Sequence, residues 1–178
     1  MEYIWYTVIK STNELLQGDL IPDCPIVIPP ASIKEDENPV VEIKLIDSVI
    51  LSQSCDLENN NIEIVLVCPY YSLKTFLNGL PPEQTATKKA VTKTIENLKK
   101  GFLPGYHLLD KYEDYLEDYQ VVDFRNVYGI QFDTLKNICE KIEIRIRLLP
   151  PYREHLSQSF ARYFMRVGLP QDIKIEGY

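Results

Sequence analysis

Residues 141–170 read KIEIRIRLLPPYREHLSQSFARYFMRVGLP, and the change of period in the middle of this stretch sets the fold class. Over 141–149, Ile142, Ile144, Ile146 and Leu148 alternate with Glu143, Arg145 and Arg147, which predicts a half-buried strand with the arginines on its polar face. Two prolines then open a helix over 151–167 that stops at Gly168 and Pro170. At helical spacing Tyr152, Leu156, Phe160, Tyr163 and Val167 share one stripe with Phe164 beside it, so this helix packs on a sheet.

Upstream, strands dominate. EYIWYTVI (2–9) is aromatic and β-branched, and Gly18-Asp19 returns the chain to extended structure at Leu20-Ile21. IPDCPIVIPP is punctuated by prolines and predicts an edge strand or covering loop, followed by a charged loop at 31–39. VVEIKLI (40–46), VILSQS (49–54) and IEIVLVC (62–68) read as three strands; a tight turn at 58–61 joins the last two and Pro69 ends the third. Pro81-Pro82 and Gly101 bracket a helix at 82–100, a peripheral insertion occupying about 81–101. YHLL (106–109) is a short strand, 111–119 an acidic aromatic loop, 120–130 a strand pair or bent strand, and 132–141 a short helix. The expected fold is a single α+β domain over 1–178. It is built on a bent antiparallel sheet or small SH3-like barrel, with an inserted and a C-terminal helix.

Composition narrows the function. At 178 residues, 45% apolar and 25% charged, the chain is of ordinary globular type. It has no apolar run of the ~18 residues a membrane span needs. The start lacks a basic region followed by a small-residue cleavage site, so it reads as a strand and the expected location is cytoplasmic. Cys24, Cys55, Cys68 and Cys139 form no C-x-x-C pair, which points to reduced thiols and no structural zinc. No H-x-x-x-H, G-x-G-x-x-G or Walker A pattern occurs, and no cofactor is expected. A net charge of −7 speaks against a protein devoted to holding a duplex. Residues 1–89 carry no arginine, however, and all six lie between Arg125 and Arg166, so an anion-facing surface belongs to the C-terminal third.

Two groups of candidate residues follow. Arg153 falls at the margin of the apolar helix stripe and needs a carboxylate, for which Asp56 and Asp123 are the candidates; with Ser54 and Cys55 they would form a structural polar cluster closing the VILSQS strand. The neighbouring helix face carries His155, Ser159, Arg162 and Arg166, which suits a phosphate or an acidic partner, a solvated face being the plainer reading. A nucleophilic Cys55 would require an imidazole, and only His107 and His155 exist. Lys88, Lys89, Lys93, Lys99 and Lys100 read as a solubilising helix surface, and KYEDYLEDY either docks a basic partner or is a plain exposed loop.

Gly18-Asp19-Leu20, VILSQSCDL, IEIVLVCPYYSL, VVDFRNVYGI and PYREHLSQSFARYFMRVGLP together resemble a bacterial family with an SQ-x-CDL strand and a YREHL-x-Q-x-FAR-x-FMRVGLP helix, to which no activity is attached. The order of parts also resembles PemK/MazF-like toxin barrels: an early G-D, a strand ending in V-x-L-S, an apolar strand broken by C-P, and a final helix. That resemblance implies an SH3-like barrel. The arginine it would place before the V-L-S strand is missing, since Asp47 and Ser48 stand there, and Ser72 alone could fill its second position. The expected function is therefore a non-catalytic binding or accessory protein with a protein partner, of bacterial phage-defence or toxin–antitoxin type. The rivals are a PemK-like endoribonuclease using Arg125, Arg145 or Arg147, which would make nucleic acid the partner, and a Cys55-dependent hydrolase.

Overall fold

The computed structural model describes residues 3–32, 40–112 and 115–165. Its elements are β1 (Tyr6–Lys10), β2 (Asp19–Ile28), β3 (Glu42–Ile50), α1 (Ser54–Glu58), β4 (Ile64–Ser72), α2 (Leu73–Asn78), α3 (Pro82–Thr85) and α4 (Lys88–Lys99). After these come β5 (Tyr106–Leu109), β6 (Gln120–Asp123), β7 (Tyr128–Gln131), α5 (Phe132–Cys139), β8 (Ile144–Leu148) and α6 (Tyr152–Phe164). The strands form one bent antiparallel sheet in the order β1-β8-β2-β3-β4-β6-β5, with β7 also on β4, so the fold is α+β. The path ends at β1 and β5. Between those ends the Tyr6 hydroxyl donates to the Asp110 carbonyl at 2.6 Å. Among the described residues no helix is long and apolar enough to cross a membrane.

The proline-punctuated stretch of β2, Ile21 to Ile28, pairs with β3 alone among the described residues, as an edge does; only Asp19 and Leu20 before it pair with β8. Its prolines are accommodated by a bulge between Ile21 and Cys24, where Asp23 takes φ 48° and gives its N–H to the Asp47 carboxylate at 3.0 Å. Two strands and the inserted helix depart from expectation, each for a local reason. β3 runs unbroken through Asp47 and ends at Ile50, and the SCDLE segment that follows is the short helix α1. β4 continues through Pro69, because its missing N–H falls where β4 leaves β3 and takes up β6: Ser48 faces Pro69, and Tyr70 already faces Val122. The inserted helix is two. Thr87 is extended and accepts the Ala90 N–H at 3.1 Å, so it starts α4 afresh after α3.

β8 holds the largest surprise. Arg145 is 1% exposed while Ile144 is 43% exposed, the reverse of the predicted alternation. β8 lies between β1 and β2, and the 11–15 segment covers its polar face; Arg145 donates to the carbonyls of Ser11, Asn13 and Glu14. Arg147 is held by both oxygens of the fully buried Asp19.

On one face of the sheet α6 buries Leu156 completely against Leu20, Val49, Cys68, Val122 and Leu148, with Tyr152, Phe160 and Tyr163 alongside, as their helical spacing predicts. Val167 lies outside the described residues. α1 and α5 cover a second cluster around Ile21, Ile50, Val65 and Leu135, and α2 and α4 a third around Phe76, Leu98 and Val121.

Candidate functional site

The predicted polar cluster is not assembled. Arg153 donates to its neighbour Glu154 at 2.7 and 3.1 Å, and its Cγ would lie 3.3 Å from a Cβ on Gly18. Asp123 is taken by a residue two positions on. Arg125 gives it two side-chain N–H bonds, at 2.9 and 2.7 Å, and a backbone one at 3.0 Å, while Tyr71 and Asn126 donate at 3.1 Å. Burial works to raise the Asp123 carboxyl, but the Arg125 side chain and N–H outweigh it and hold it below the usual range. Ser54 accepts the Gln17 N–H at 3.2 Å, and Asp56 has no ion-pair partner among the described residues. Sequence-local partners thus satisfy Arg153 and Asp123, which helix and strand periodicity had assigned to one another.

Three residues of the second predicted group, His155, Ser159 and Arg162, line one cleft. β5 points Tyr106 and Leu108 toward Phe76 and Leu98, and turns His107 the other way, against Phe124 under α6. The chain enters β5 from α4 through Gly101, whose φ of 70° lets the backbone reverse there. α6, fixed by Leu156 and Phe160, lays its adjoining face over this turn. Between them opens a cleft of about 330 Å³ lined by Lys99, Lys100, His107, His155, Gln158, Ser159 and Arg162, with no carboxylate among the described residues that line it. Lys99 and Lys100 reach Glu96 from outside, at 3.4 and 3.9 Å. The side chains of Gln158, Ser159 and Arg162 have no hydrogen-bond partner among the described residues, so their donors are available. Arg166 lies outside the described residues.

His107 differs from the rest. Burial first, and the nearby His155 second, lower its pKa to about 4, so at neutral pH it carries no charge and offers one donor and one acceptor. Because the unfolded chain takes up a proton near pH 6.5 and the fold resists doing so until about 4, stability falls by about 2 kcal/mol as pH drops through that window. The wild type should therefore lose more stability on acidification than His107→Phe, in urea denaturation at neutral and acid pH; equal losses would count against this placement.

No protein-family model, curated protein or solved structure matches this chain.

The function of the cleft accordingly rests on its own chemistry. Cations at the rim, neutral donors along α6 and a half-buried imidazole at the floor suit the capture of an anionic group. Three of the four residues marked on the helix face line it; the sequence marks His107 only as an imidazole for Cys55, and Lys99 and Lys100 only as solubilising surface, since nothing in YHLL or KKAVTKTIENLKK shows which face meets α6.

Cys55 sits on α1 and is exposed, with the Asp56 carboxylate 4.0 Å from its Sγ. Cys24, Cys68 and Cys139 are buried, and burial pushes the first two up to about 12 and the third to about 11. A thiol reagent should modify Cys55 alone in the native state and the other three only on unfolding, as peptide mass mapping can show. Such selectivity follows from exposure and needs no catalytic role.

Proposed function

We propose that this chain is a non-catalytic binding protein that seats an anionic group of a partner protein in the cleft between α6 and the α4–β5 turn. The observation that carries the reading is the cleft's lining: Lys99, Lys100, His155 and Arg162 around the uncharged His107, with no acid among the described residues that line it, in a chain of net charge −7. The cellular setting we propose, an accessory role in a bacterial phage-defence or toxin–antitoxin system in the cytoplasm, rests on the resemblance of its order of parts to the toxin barrels. Calorimetric titration with a glutamate-rich peptide and with a phosphoserine peptide tests the site. Arg162→Glu should weaken whichever binds by about tenfold or more, and binding that ignores this change would sink the proposal.

One observation favours a second reading. Two imidazoles in one basic cleft are also what acid–base cleavage of a phosphodiester uses. An endoribonuclease of PemK/MazF type would need its arginine there, since Arg145 and Arg147 are engaged with carbonyls and Asp19, and Arg125 with Asp123. Metal-independent cleavage of RNA that is lost in both His155→Ala and Arg162→Glu would replace the binding reading with this one.

A further inference from the structure

We propose that the wedge where β3 and β4 separate docks an extended, cation-bearing segment of a partner protein, which adds as a strand to the open edge of β3. β3 pairs with β2 from Glu42 to Ile46, but on its other side it pairs with β4 only over Ser48–Ile50. The ladder stops at Pro69, which has no N–H to give, and beyond it Tyr70, Tyr71 and Ser72 pair away toward β6. Over residues 42–47 this side of β3 has no strand partner among the described residues. An uncovered strand edge is a template for another chain.

The walls say which chain. The wedge, about 760 Å³, is bounded by Leu45–Asp47 on one side and Tyr70–Ser72 on the other, with residues 115–118 closing it. Leu45 is 64% exposed, and Ile43, 61% exposed, faces the equally uncovered Val27 across β2. Such an apolar face asks for alternate apolar side chains in its occupant. Among the described residues the acids Asp47, Glu117 and Asp118 line the wedge against the one cation Lys74. On the wall, burial first, and then Asp47 and Asp23, hold the Tyr70 phenol above its usual range. Charge complementarity therefore calls for Lys or Arg at the remaining positions of the added strand. This surface shares no residue with the basic cleft and does not depend on the reading given to it.

Fluorescence anisotropy with a short labelled peptide of alternating lysine and valine tests the inference. The peptide should bind saturably, its glutamate–valine counterpart should not, and methylation of alternate backbone nitrogens should abolish binding because the strand ladder can no longer form. Leu45→Lys and Glu117→Lys, both at exposed positions, should each weaken binding about tenfold with an unchanged circular dichroism spectrum. The inference fails if the N-methylated peptide binds as well, if either peptide binds regardless of charge, or if neither substitution matters. It fails too if the wild type is a dimer that Leu45→Lys converts to monomer, for then a second copy fills the wedge.

Discussion

Asp19→Asn lowers the free energy of unfolding by about 3–5 kcal/mol, the cost of stranding buried charge. Asp19 is fully buried and, among the described residues, is the one anion paired with two guanidinium groups: Arg147 donates to both of its oxygens, the second at 2.9 Å, and the Arg145 Nε lies 3.7 Å away with no hydrogen bond of its own. Burial pushes the Asp19 carboxyl up, and Arg147, the Leu16 N–H and Arg145 pull against it. An amide there leaves both cations without that counter-charge, Arg145 fully buried and Arg147 nearly so. Urea denaturation of Asp19→Asn, Arg147→Gln and the double variant gives the decisive comparison. The double variant should cost less than the sum of the singles by more than about 1 kcal/mol; strict additivity would refute the account.

The second large effect belongs to α6. Leu156 is the one fully buried side chain of that helix, so Leu156→Ala removes its anchor at a cost of about 3 kcal/mol in transfer and cavity terms. Its neighbours cannot easily collapse into the gap: Trp5 stacks on Tyr152 at 3.5 Å between centroids, and Phe124 meets Phe160 edge-on at 5.5 Å. The same substitution should weaken binding of the acidic peptide although Leu156 does not line the cleft, because α6 supplies one wall. A stability loss below about 1 kcal/mol would mean that α6 is not docked as described.

These two residues mark how far the sequence could be read. Leu156 was legible because helical spacing puts it between Tyr152 and Phe160, and the helix does bury that stripe. Antiparallel β3–β4 pairing, β5, α5 and β8 were legible for similar reasons of period and punctuation. Arg145 was not, because alternation reports which residues share a face and says nothing of what lies over it. The segment that covers β8 comes from the far end of the chain and gives its carbonyls, which no side-chain pattern advertises. The Arg153–Asp expectation failed on a related point: proximity in sequence gave Arg125 and Glu154 the first claim on their partners. Of the cleft, the α6 face was visible and the opposite wall was not, since His107 is a single residue in a four-residue strand.

β1 and β2 both take β8 as a neighbour, although more than a hundred residues separate them in the chain. A nascent polypeptide therefore exposes the first two strands, and the acid that opens β2, long before their counterpart leaves the ribosome. Pairings of such long range are slow to form because loop closure must precede any gain from contact. Folding of this molecule should wait on its last strand, and shortening the chain before Leu148 should leave the earlier strands without the partner that completes the sheet.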